Sequence, residues 1–227
     1  MYNIFMSEGG IDVPNKVGEY LRVPDTADIR QIQIERELKS IEAHYAAKEL
    51  PPLDPLGKYE LQTNPGVNKS FTGGTCTLAS AGNALRSLGV YDPTKHTEEK
   101  LIDFLGGDEF IKRTNGGASH EDIASALIKL VPGAKVRGSI SAYEILYAVE
   151  HGAAAVVNVG AAHAGAIYPG SRVTRDEGKL QVQVIDPVLG VKMMSIHDFV
   201  RYQLPIFYPP SWNNATIIEK VKRSKLI

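Results

Sequence analysis

The sequence predicts an α+β domain in which a helical half packs on an antiparallel sheet, and three observations point there. Before about residue 152, apolar residues recur at helical spacing behind residues that cap helices. After it the period changes: "AAAVVNVG", "HAGAIY" and "LQVQVID" are short β-branched-rich runs separated by Gly, Pro and charged turns, the signature of strands. The chain has 227 residues, 43% hydrophobic and 22% charged, enough for one substantial globular domain with a decorated end, or for one and a half domains. Helices first and strands afterwards indicate α+β rather than an alternating chain.

Residues 1 to about 24 are punctuated by Gly and Pro without a clear period and read as an extended arm or short strand. Asp25 or Thr26 can cap a helix through "ADIRQIQIERELKSIEAHYAAKEL", where Ile34, Leu38, Ile41 and Tyr45 form one apolar stripe. "PPLDPLG" ends that helix and serves as a connector. Residues 1–58 are therefore expected to be a helical N-terminal extension, and residues 59–227 the main domain. There, Thr75 is expected to cap a helix from Cys76 to about Leu88, stopped by Gly89. A second helix covers "TEEKLIDFL" up to Gly106-Gly107. Ser119 with Asp122, and Ser141 with Glu144, have the form of capping boxes for "HEDIASALIKLV" and "AYEILYAVEHG". "VKMMSI" adds a candidate strand beyond the three already quoted, and "SIHDFVRY" a short capped helix.

A net charge of −1 gives no electrostatic case for nucleic acid or an anionic membrane surface, and the basic run "EKVKRSKLI" reads as a solvated tail. The longest apolar stretch, "GAAAVVNVGAAHAGAIY", is too polar and too short to span a bilayer. "MYNIFMSEGGIDVPNK" lacks the pattern of a classical signal peptide. One cysteine makes no internal disulfide and suits a reducing compartment. The expected locations are thus the cytoplasm, or a target cell reached without a classical signal.

That cysteine lies in "FTGGTCTLASAGNAL". A thiol attacks as thiolate, and the N–H groups and dipole at a helix start favour the anion. Gly73-Gly74 removes side chains just upstream, leaving room for a substrate backbone. A lone cysteine is more commonly an inert core residue, so Cys76 needs partners. His163, in "VVNVGAAHAGAIYPG", falls between two strands among small residues, where an imidazole can be held rigidly toward a cleft. Asp186 ends the strand "LQVQVID" before Pro187; its ordinary role is to cap a turn, its catalytic one to orient an imidazole. Each residue alone is a weak signal, but the order Cys, His, Asp on a helix start and two strands is a specific one. His120 and His197 fall in the first turns of helices and are expected to be exposed; His44 and His151 lie on polar faces and His96 precedes a helix. No pair has metal-ligand spacing, and no P-loop, GxGxxG or GxSxG motif occurs, so neither metal nor cofactor is expected.

With these residues in view, the chain resembles the papain-like cysteine peptidases, and among them the bacteriocin-processing (double-glycine) peptidases. "CTLASAGNALRSLG" is similar to the family's cysteine helix, "SISAYEILYAVEHGAAAVVNVG" to the helix and strand before its histidine, and "HAGAIY" to the histidine strand. "VQVIDPVLG" is similar to the Asp-Pro strand and "MSIHDF" to the closing helix, so the resemblance spans roughly residues 59–208. It implies a papain-like fold and a thioester mechanism with Cys76 as nucleophile, His163 as base and Asp186 as orienter. It also implies a protein substrate cut after Gly-Gly. The family's oxyanion glutamine lies six residues before the cysteine, where this chain has Ser70; Gln62 in "YELQTNPG" or Asn68 is the alternative donor. Thr75 and Thr77 stand where the family typically has Asp and Gly. A standalone chain of this kind is similar to papain-fold toxins delivered between bacteria, which implies an immunity protein that blocks the cleft. Two other expectations compete: a papain-fold glutamine deamidase using the same three residues, and a binding module in which Cys76 is a core residue.

Overall fold

The computed structural model describes residues 26–50, 75–114, 117–160, 163–169, 173–204 and 215–219. The expected arm at 1–24, the Pro-rich connector, Gln62, Asn68, Ser70 and the basic tail beyond Glu219 lie outside the described residues.

Helix α1 (Thr26–Tyr45) buries Ile34, Ile41 and Tyr45, three members of the expected stripe, with Leu38 packed alongside. It ends five residues before Leu50. Pro51 disfavours a helical conformation for the residue before it, and Leu50 instead packs against the same core as α1. Helix α2 (Cys76–Ser87) is buried continuously from Thr77 to Leu85. Its Ala, Ser and Gly side chains admit a sheet at close range, so that the Ser80 hydroxyl donates to the Ala164 carbonyl, 3.3 Å away. Gly89, at φ 69°, turns the chain out of the helix.

Helix α3 (Glu98–Leu105) has Thr97 as N-cap, accepting from the Lys100 N–H. The sequence reading stops at Gly106-Gly107, yet α4 (Gly107–Thr114) starts immediately. The two glycines do stop α3, with Gly106 as its C-cap at φ 121°, and burial of Phe110 and Ile111 with the acidic first turn of Asp108 and Glu109 supports a new helix directly after it. Helix α5 (His120–Leu130) carries the full capping box expected of Ser119 and Asp122. At α6 (Ala142–Glu150) only half the device forms: Ser141 accepts from the Glu144 N–H, while the Glu144 side chain turns to Arg137 and Ser139.

Among the described residues, seven strands make one antiparallel sheet: β1 (Lys135–Ser139), β2 (Ala154–Gly160), β3 (His163–Ile167), β4 (Val173–Asp176), β5 (Lys179–Asp186), β6 (Gly190–Ser195) and β7 (Ala215–Glu219). Their order is β1-β7-β2-β3-β5-β4, with β6 pairing β5 as well. Helix α7 (Ile196–Gln203) follows β6 directly, capped by Ser195 as expected of "SIHDFVRY".

The α+β class of the sequence reading stands, but helices cover both faces of the sheet. Alternate strand residues define the faces. Ala154, Val156, Ala164, Ala166 and Ile218 pack under α2, α3, α4 and α5. Ala155, Val157, Ile167, Val182, Val184 and Ile217 pack under α1, α6 and α7. This is the period-2 alternation of strands buried on two sides. Among the described residues, no helix is long and apolar enough to cross a membrane.

Candidate active site

Cys76 is the first residue of α2 and is partly exposed. Thr75 does not cap the helix as expected: its backbone is already helical (φ −78°, ψ −5°) and its hydroxyl makes no capping bond. A capping side chain needs a non-helical backbone to swing onto the N2 or N3 amide. The Thr75 hydroxyl thus leaves the start of α2 to the Cys76 side chain. Cys76 Sγ also accepts a hydrogen bond from the backbone N–H of Ala164, at 3.4 Å. Ala164 immediately follows His163, so α2 delivers the sulfur to the start of the histidine strand.

His163 is the first residue of β3, where a register shift between Asn158 and Gly160 of β2 breaks the ladder. Its Nε2 lies 2.9 Å from Asp186 Oδ1. Since the carboxylate only accepts, Nε2 carries the proton of the neutral ring, and Nδ1 is the nitrogen free to act as base. The imidazole is 31% exposed, enough to meet a substrate, while Asp186 is fully buried.

Asp186 both caps its turn and bonds the His163 ring. Oδ1 accepts from the N–H groups of Val188 (2.9 Å) and Leu189 (3.1 Å), which caps the turn between β5 and β6, as well as from His163. Oδ2 accepts from Lys192 Nζ at 2.9 Å. Burial pushes this carboxyl up, but the bonds from His163, Lys192, Val188 and Leu189 outweigh it and hold the group well below the usual carboxylate range. Asp186 is thus ionised wherever His163 could work.

The strand geometry behind this pair depends on Gly165. β3 and β5 share a single register pair, Ala166 with Ile185, and a Cβ on Gly165 would stand 2.8 Å from the Ile185 carbonyl and from Val159 Cγ1. The missing side chain lets the strand bearing His163 approach the strand bearing Asp186. Sequence reasoning missed Gly165 and Lys192; a glycine inside an apolar strand is the available signal for the first, and no pattern marks the second.

His120, His96 and His44 each hold contacts within the fold. His120 is buried, not exposed: it faces inward from the first turn of α5, with Nδ1 3.1 Å from Thr216 Oγ1 and Nε2 3.3 Å from Asn158 Oδ1. Burial lowers its pKa, opposed by the Asn158 bond and the Glu121 charge. His96 is buried too, accepting from the Asp92 N–H and facing the Leu130 carbonyl. His44 bonds Glu150 and Lys48, clipping α1 to α6, and His197 is exposed as expected. Among the described residues no cluster of three metal-ligating side chains occurs.

No protein-family model matches the sequence, and neither does any curated protein.

Proposed function

We propose that this chain is a papain-like cysteine peptidase that cleaves protein substrates through Cys76, His163 and Asp186. The observation that carries the reading is the convergence of three distant segments: a helix-start thiol 3.4 Å from the Ala164 N–H, and His163, one residue earlier, hydrogen-bonded to a buried ionised aspartate. A binding module has no need for that arrangement.

In the proposed reaction His163 Nδ1 takes the Cys76 proton, and the thiolate attacks the carbonyl carbon of the scissile bond. The resulting oxyanion is held by the backbone N–H of Cys76 at the helix start, with Gln62 or Asn68 as the candidate side-chain donor. The imidazolium, steadied by Asp186, returns its proton to the leaving amine and a thioester remains. Water, deprotonated by His163, then hydrolyses the thioester and restores the thiol. Following the resemblance, the cut falls after Gly-Gly in a cleft that excludes larger side chains. The biological setting proposed is that of a bacterial toxin or effector restrained by an immunity protein.

The test is incubation of a bacterial proteome with the wild type, Cys76→Ala and His163→Ala, read by N-terminal mass spectrometry. New N-termini after Gly-Gly that vanish in both variants support the peptidase. Conversion of Gln to Glu with intact backbones, dependent on both residues, would make the chain a deamidase instead. Neither signal would leave the binding module.

A further inference from the structure

Lys192 lies on β6 opposite Val184, two residues before the end of β5, and its side chain runs along the strand to place Nζ 2.9 Å from Asp186 Oδ2. We propose that Lys192 is a positioning residue of this site, whose ammonium fixes and charge-balances the carboxylate that orients His163. The proposal rests on the peptidase reading above.

Two features of the contact carry it. The first is the division of labour between the oxygens. His163, Val188 and Leu189 all bond Oδ1. A carboxylate held by one oxygen still rotates about its Cβ–Cγ bond; Lys192 on the other oxygen removes that freedom and leaves His163 one partner in one plane. The second is charge. Asp186 is fully buried, and a buried carboxylate without a cationic partner is strongly disfavoured. Thiol, neutral imidazole, carboxylate and ammonium sum to zero, and after proton transfer thiolate, imidazolium, carboxylate and ammonium also sum to zero. The proton therefore moves within a group of constant neutral charge. Without Lys192 the group carries one net negative charge, and Asp186 takes up a proton at higher pH, after which it no longer supports an imidazolium. Among the described residues, His163 and Lys192 are the ionisable side chains bonded to Asp186. The Lys192 side chain is 29% exposed, so a neutral side chain of similar length fits without opening a cavity.

The test compares full-length wild type with Lys192→Met, Lys192→Arg and Lys192→Gln. One readout is the low-field proton resonance of His163 Nε2–H; the other is the pH profile of Cys76 alkylation by iodoacetamide. Lys192→Met should shift or lose the resonance, slow alkylation at pH 7 about tenfold, and raise the acid limb of the profile by about one pH unit. Lys192→Arg should restore all three. Lys192→Gln keeps an N–H for Oδ2 without the charge, so the resonance should survive while the acid limb still rises. A Met variant with the wild-type resonance and acid limb, or an Arg variant no better than Met, would overturn the proposal. A wild-type thiol that reacts no faster than that of His163→Ala would instead remove the peptidase reading; the resonance would still report whether Lys192 positions the His163–Asp186 pair.

Discussion

At the scale of single residues, the site places demands on Asp186 that asparagine cannot meet. An amide at 186 would face Lys192 without compensating charge and would offer the His163 ring either a carbonyl or an N–H. Asp186→Asn should therefore lower activity, or Cys76 alkylation where no substrate is in hand, by roughly 10²- to 10⁴-fold. A loss below threefold would show that the carboxylate does no more than cap its turn. Cys76, His163 and Asp186 were all legible in the sequence, because a helix-start cysteine, a histidine between strands and an Asp-Pro strand end each leave a local mark. Lys192 was not. Its role depends on which strand lies beside β5, and that is a matter of register rather than of local pattern. His120 was misread for a related reason: the first turn of a helix faces solvent unless a strand distant in sequence covers it, and here β7 supplies Thr216.

At the scale of elements, the long periodic helices and the three apolar strand runs follow from pattern, whereas β1, β4 and β7 do not. β1 and β4 carry charged residues and are partly exposed, and "VTRD" is only four residues long. β7, "ATIIE", has strong strand residues but lies far along the chain from both its partners, β1 and β2, and only topology places it between them. Strand packing around Gly165 makes a sharp prediction. Gly165→Ala puts a methyl 2.8 Å from the Ile185 carbonyl and from Val159, so β3 must move away from β5. We expect destabilisation of about 1–3 kcal/mol by urea unfolding, together with slower alkylation as His163 leaves Asp186. Wild-type stability would show that the strands have room to spare. Helix α1 is expected to belong to the same folding unit as the sheet. Its Ile41 is fully buried in the core shared with α6 and α7, and Ile41→Ala should cost about 2–5 kcal/mol in a single unfolding transition. A separate early transition for α1 would contradict this.

At the scale of the whole molecule, two buried groups tie stability to pH in the same direction. Unfolded, His120 takes a proton near pH 6.5, while burial keeps the folded side chain neutral to lower pH. The unfolded state then binds more protons below about pH 6.5, so stability falls as the pH drops from there. Asp186 adds a second step. Its folded carboxyl is held well below the usual range, so the unfolded chain protonates first once the pH falls below about 4, and the stability this carboxylate contributes at higher pH is lost. Urea midpoints measured from pH 7.5 to 5 should decline, and His120→Gln should flatten that decline; an unchanged slope in the variant would assign it to other groups.

Activation of Cys76 as a nucleophile by His163 is tested by the alkylation rate of the native thiol at pH 6.5 in wild type and in His163→Ala. Wild-type Cys76 should react at least tenfold faster than free cysteine, and His163→Ala should abolish the advantage. A wild-type thiol no faster than free cysteine, or one indifferent to loss of the imidazole, would contradict it.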